Sequence, residues 1–248
     1  MNIIAPQAVA YMHYLHNIQK SYGNRNYLDA IIFDCDGVLI DSEESGNRVE
    51  VDELNSHGCL ISIEDYNSRF AGRTTKDAFQ ILAAENNVIF HPEYVKSVER
   101  KTLSILEKEA FCVPGVRESL EKINLPKAVV SNAYNEKLHA LLRINNLLPY
   151  FNGHVYSADL VEHQKPYPDV YELAAREMGA TPRKCLVIED SEAGVKAAKS
   201  AGMHVFGFFG GRHHDPSYAN VLEEAGVEVV FNDMSALPRL VALYIPNN

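Results

Sequence analysis

Residues 31–43 read IIFDCDGVLIDSE. The stretch begins with the β-branched and aromatic residues of a buried strand, then sets two carboxylates, Asp34 and Asp36, one residue apart. A strand's period of two sends both side chains to one side while Cys35 points to the other, and Gly37 allows a tight turn over a ligand. Two carboxylates about 4 Å apart repel by roughly 4 kcal/mol at an effective dielectric of 20, so a fold that keeps them calls for a cation, a proton or both. A turn or helix cap explains one of the two aspartates but not the pair.

Working outward, further apolar runs at residues 128–131, 185–188, 204–209 and 227–231 alternate with helical patterns. With the run at 30–33 they predict βαβ units and an α/β, Rossmann-like, doubly wound parallel sheet. Between the first two runs the apolar period is helical only, with Phe79, Ile81, Leu82, Val95, Val98, Leu103 and Leu106, which predicts an inserted helical unit over 46–111. The core then comprises 29–45 and 112–248, with crossings near 42–46 and at CVPGV, 112–116, where Pro114 and Gly115 break the helix. Residues 1–28 carry Val9, Met12, Leu15, Ile18 and Tyr22 at spacings of three and four, predicting a helical extension that lies on the core or meets another copy.

In an open α/β sheet, ligands bind at the carboxyl ends of strands, and three more segments place polar residues there or on a loop. The run at 185–188 ends on Glu189 and Asp190, with Ser191 able to cap the next helix; a cap is also open to Asp190 itself. Oxygen ligands without a His or Cys pattern favour a hard cation, Mg²⁺ where a phosphate completes the shell. Ser131 and Asn132 offer donors suited to an anion, and Pro166 and Pro168 stiffen the loop bearing Lys165. Adjacent His213 and His214 would point apart on either a helix or a strand and make a poor chelating pair.

The 248 residues are 46% apolar and carry a net charge of −10, which argues against a nucleic-acid partner. No apolar run reaches the roughly 20 residues of a membrane span. The four cysteines are scattered, as expected of core thiols in a reducing, cytoplasmic setting with no membrane partner.

Together FDCDGVLIDSE, VVSN, KPYPD and IEDSEAG resemble the motifs of the haloacid dehalogenase superfamily, over nearly all of 29–232, and the insert looks like that family's mobile cap. The resemblance implies that Asp34 is the nucleophile that becomes an aspartyl-phosphate and Asp36 the general acid and base. It implies Mg²⁺ on the Asp34 side chain, the Asp36 carbonyl and Asp190, with Glu189 beside it or bound through water. Ser131, the backbone around Asn132, and Lys165 would hold the phosphoryl oxygens.

Within the superfamily, the dehalogenase and phosphonatase branches depart at the position of Asp36, which leaves phosphatases and sugar phosphomutases. The β-phosphoglucomutase branch shares these motifs but has a His where this chain has Gly46 and an Arg where it has Thr75, with Arg73 close by. A mutase must shield its phospho-enzyme from water, so the losses favour hydrolysis, with the mutase as the alternative. The resemblance extends to bacterial sugar-phosphate and 6-phosphogluconate phosphatases of that branch. It implies a small phosphorylated metabolite as substrate, and Arg69, Arg73 and Lys76 of the cap could reach a second anionic group; for assembly, the sequence leaves monomer and homodimer open. A non-enzymatic binding protein on this scaffold would be expected to lack Asp34 or Asp190, and both are present.

Overall fold

The computed structural model describes residues 28–70, 72–211 and 217–242. The expected helix within 1–28, and His213 and His214, lie outside the described residues. Strands β1 (Ala30–Phe33), β4 (Lys127–Ser131), β5 (Val155–Ser157), β6 (Cys185–Glu189), β7 (His204–Phe208) and β8 (Val229–Phe231) form a parallel sheet in the order β5-β4-β1-β6-β7-β8. β5 was not among the predicted strands: three residues are too short to show a period. Phe33 pairs with Val129 on one side and Ile188 on the other, so β1 sits at the switch point where connections leave in both directions.

Alternation along the strands explains both layers. Ile31, Phe33, Val129, Leu186, Ile188, Phe206 and Phe208 belong to one buried cluster, while Ala30, Ile32, Ala128, Val130, Cys185, Val187 and Val205 belong to another. Both faces are therefore apolar, as a parallel sheet covered by helices requires. One layer includes α5 (Val116–Lys122), α6 (Asn135–Ile144) and α10 (Leu237–Ala242); the other includes α7 (Asp169–Glu177), α8 (Glu192–Ser200) and α9 (Tyr218–Ala225).

Helices α1 (Glu43–Ser56), α2 (Ile63–Phe70), α3 (Thr75–Asn86) and α4 (Pro92–Glu109) leave the sheet after β1. They enclose their own core of Val51, Leu54, Tyr66, Phe70, Phe79, Leu82 and Val98, whereas Leu106 joins the core beside the sheet. The chain crosses between the two units on a small antiparallel pair, β2 (Ile40–Asp41) with β3 (Phe111–Cys112). Helix α1 starts at Glu43, ahead of the expected boundary, and Gly46 lies inside it rather than at a crossing. Before β2 the turn is tight: the N–H groups of Leu39 and Ile40 both donate to the Cys35 carbonyl, and Gly37 N–H donates to Ile40. No helix among the described residues is long and apolar enough to cross a membrane.

Candidate active site

Three strand ends and one loop meet beside β1. Asp34 follows β1, and its amide donates to the Ile188 carbonyl, which ties the start of the turn to β6. Its Oδ1 accepts a 2.5 Å hydrogen bond from Lys165 Nζ. The ammonium also reaches Glu189 Oε1 at 2.7 Å and the Val130 carbonyl at 3.3 Å, and lies over the Tyr171 ring. The Lys165–Pro166 peptide is cis. Burial opposes the lysine's charge, but Asp34 and Glu189 outweigh it and hold the ammonium protonated, well above its ordinary range. Burial also pushes Asp34 well up; Lys165 pulls it down, while Glu189, Asp190 and Asp36 push it further up.

Glu189, expected beside the metal or bound to it through water, is held by a dense set of donors. It is fully buried; Tyr171 donates to Oε1 along with Lys165, and the Asp190 and Ser191 amides and the Ser191 hydroxyl donate to Oε2. Adjacent strand residues point apart, so Glu189 turns under the sheet end while Asp190 lines the cleft. Glu189 therefore positions Lys165. Ser191 also resolves the open cap reading, since its Oγ accepts from Gly194 N–H at the start of α8.

Asp36 is wired differently. Ser42 Oγ donates to its Oδ1 at 2.5 Å, Lys137 Nζ lies 3.1 Å from the same oxygen, and Ser131 Oγ is 3.3 Å from Oδ2. Lys137, which the sequence reading missed, projects from α6, and Asp159 holds that helix's start by accepting from the Asn135 amide. Its pKa is raised: burial opposes the charge, and Asp36 and Glu50 more than restore it.

Ser131 lies at the end of β4, beside Asp36. The Asn132 side chain is used structurally: it donates to the carbonyls of Gly72 in the cap and of Lys165, and accepts from the Lys165 amide. Only its backbone is left for an anion. Further cap contacts run from Tyr134 to the Glu99 carbonyl and from Gln164 to Asp77.

A cleft of about 650 Å³ lies between core and cap, lined by Asp34, Asp36, Ser131, Asn132, Lys165 and Asp190. Of the predicted cap residues, Arg73 and Lys76 line it from exposed positions. Arg69 does not: its guanidinium pairs with Glu85 at 2.5 Å and packs over Phe70 on the outer face, which corrects its expected role. The inner cap wall holds a buried carboxylate not anticipated from sequence. Glu50 accepts from Tyr66 at 2.5 Å and from Thr75 at 2.8 Å.

The residues fit a hard divalent cation. Asp34, Asp36, Glu189 and Asp190 bring four carboxyl groups against two lysines, Lys165 and Lys137, so acidic groups outnumber cationic ones at this strand end. The side chains alone make no closed metal cage among the described residues. Asp34, Asp190 and the Asp36 carbonyl are the groups that would hold an ion, with phosphate oxygens completing an all-oxygen shell of the kind Mg²⁺ accepts.

The family model described as haloacid dehalogenase-like hydrolase matches residues 28–202. The chain is 30% identical to the 6-phosphogluconate phosphatase of Escherichia coli K12, over 76% of this chain and 86% of that protein. It is 34% identical to the phosphorylated carbohydrates phosphatase of Thermotoga maritima, over 80% and 92%. Among solved structures, a haloacid dehalogenase-like protein of unknown function from Agrobacterium tumefaciens superposes with a TM-score of 0.75 at 37% identity, over 87% of this chain and 98% of that one. With a sheet whose switch point carries Asp34, Asp36, Lys165 and Asp190, the chain belongs to the haloacid dehalogenase-like hydrolases.

Proposed function

We propose that this protein is a Mg²⁺-dependent phosphatase that hydrolyses a small phosphorylated sugar or related metabolite through an aspartyl-phosphate on Asp34. The observation that carries this reading is the unequal wiring of two neighbouring carboxylates. Asp34 is gripped through one oxygen by a buried lysine, whereas Asp36 is turned onto Ser42, Ser131 and Lys137. The first arrangement suits bond formation to phosphorus and the second suits proton movement.

An Asp34 oxygen attacks phosphorus, the bond to the ester oxygen breaks, and its electron pair leaves with the alcohol, which takes a proton from Asp36. Asp36, now a carboxylate, then takes a proton from water. The water oxygen attacks phosphorus, the bond to Asp34 breaks, and phosphate departs. Lys165 offsets charge on Asp34 and the transferring group, and Ser131 donates to its oxygens. A magnesium ion held by Asp34, Asp190 and the Asp36 carbonyl would supply positive charge to the transferring group. The names of the relatives support a phosphorylated carbohydrate as substrate.

Hydrolysis rather than mutase chemistry is favoured by Gly46, which brings no side chain to the cleft, and by Thr75, whose hydroxyl is directed at Glu50. A screen of sugar phosphates with Mg²⁺, reading inorganic phosphate, tests the proposal. Release from at least one sugar phosphate is expected. Conversion of β-glucose 1-phosphate to glucose 6-phosphate without phosphate release would overturn it.

A further inference from the structure

The cap wall that faces the catalytic carboxylates has an unusual hydrogen-bonding polarity. Tyr66 and Thr75 both direct their hydroxyl protons at the two oxygens of Glu50. With both protons directed at Glu50, the Thr75 hydroxyl and the ionised Glu50 carboxylate have lone pairs to offer the cleft. Glu99 lines the same cleft from α4 and adds a further carboxylate.

Few cations act on this wall: Lys137 reaches Glu50 through its charge, but its ammonium is paired with Asp36, Arg73 and Lys76 line the cleft from exposed positions, and Arg69 is outside it on Glu85. A second and independent feature lies beside it. Thr102, on α4, lines the cleft and is 4% exposed, and its Oγ1 is a buried polar atom with no hydrogen-bond partner among the described residues. Such a group costs free energy unless something meets it, and a ligand hydroxyl can either give or take that bond. Gly46, opposite Thr102, has no side chain to fill the space: an added Cβ would meet only ordinary contacts, 3.5 Å from Thr102 and 3.7 Å from Leu106.

We propose that Glu50, held by Tyr66 and Thr75, is a specificity-determining residue that receives the hydroxyl groups of an uncharged polyol or sugar leaving group and rejects a substrate with a second anionic group. The inference rests on the phosphatase reading and names its substrate class. A hydroxyl brings the proton that this wall lacks, whereas a carboxylate or second phosphate brings more lone pairs and more negative charge. A site built for one hydrogen-bonding polarity discriminates strongly against the opposite one, because the buried groups are left unpaired.

A matched pair of substrates makes the test direct. Glucitol 6-phosphate and 6-phosphogluconate share the phosphorylated end and the intervening hydroxyls, and differ at the far terminal carbon, hydroxymethyl in one and carboxylate in the other. Measuring kcat/KM for both with the same preparation gives a ratio that cancels any loss of folded enzyme. The wild-type ratio is expected to favour glucitol 6-phosphate by at least about tenfold. Glu50→Gln supplies an amide donor in place of an acceptor and should shrink the ratio to within about threefold, and Thr75→Lys, which adds a cation at the same wall, should shrink it independently.

A wild-type preference for 6-phosphogluconate, or a ratio unmoved by both variants, would overturn the inference and leave the phosphatase reading intact. Release of phosphate from p-nitrophenyl phosphate but from neither matched substrate would do the same. Failure to release phosphate from any of the three with Mg²⁺ present would instead count against the phosphatase reading on which the inference rests.

Discussion

Asp34 and Asp36 carry the same functional group, so their substitutions separate the proposed roles. Asp34→Asn should abolish turnover of every substrate, because an amide is a poor nucleophile. Asp36→Asn should retain phosphoryl transfer from an aryl phosphate, whose leaving group needs no proton, and should fail more severely on an alkyl phosphate, by roughly the 10²–10⁴ that acid–base help is worth. Equal loss on both substrate types, measured by steady-state and burst kinetics, would refute the division of labour. Glu50 gives a pH test at the same scale. Burial raises its pKa above the ordinary 4.5 and nearby Asp36 pushes the same way, while donors Tyr66 and Thr75 and the ammonium of Lys137 pull it down; Glu99 also lines this part of the cleft. With a raised folded pKa, the native state holds the proton more tightly, so this contribution to stability is complete below the unfolded value and is lost as pH rises through the folded one. Denaturant midpoints at about pH 5 and about pH 8 should therefore fall less for Glu50→Gln than for the wild type. An equal fall in both would show that Glu50 does not titrate upward. The aspartates, Lys165 and Asp190 were legible in sequence because strand ends and Pro-flanked turns are local signals. Lys137 and Glu50 were not: on a helix each reads as an ordinary surface charge, and the partners that draw it inward come from other elements.

At the scale of elements, the junction of β6 and α8 explains a glycine in IEDSEAG. A Cβ on Gly194 would lie inside the carboxylate of Glu189, which fills the space beneath the helix's first turn. Gly194→Ala should expel Glu189, strip Lys165 of one of its two carboxylate partners and leave a buried charge uncompensated. A loss of about 3 kcal/mol, or roughly 6–12 °C in Tm, is expected together with a large fall in kcat, by calorimetry and phosphate release. A variant with wild-type Tm and activity would show that Glu189 has room to move and that its grip on Lys165 is dispensable. The same junction shows where sequence reading stops. A parallel sheet was evident from five apolar runs, and Ser191 as a cap from one residue, but adjacency alone could not say which of Glu189 and Asp190 faces the cleft; the pleat at the end of β6 decides it. The β2–β3 pair was equally hidden, since two-residue strands carry no period and their pairing joins the two ends of a long insertion. The direction of Arg69 was not legible, because an exposed arginine near a glycine turn has no local mark of direction; its pairing with Glu85 holds it away from the cleft.

For the whole molecule, two units meet over a cleft whose carboxylates outnumber its lysines, so ion binding, stability and turnover should be linked. Exhaustive chelation is expected to stop phosphate release, and Mg²⁺ to restore it. At about a hundredfold its Kd, the ion should raise unfolding stability by about 2.7 kcal/mol, visible as a higher Tm. Full turnover after chelation would contradict the proposed metal dependence. The central claim, a covalent phospho-enzyme on Asp34, is tested most directly by acid quench of the Asp36→Asn enzyme within milliseconds of mixing with Mg²⁺ and an aryl phosphate, followed by peptide mass spectrometry. The account predicts a phosphoryl group on Asp34, absent from the Asp34→Asn enzyme; a phosphoryl group on Asp36 or Ser131, or an aryl alcohol burst with no phosphorylated peptide at all, would contradict it.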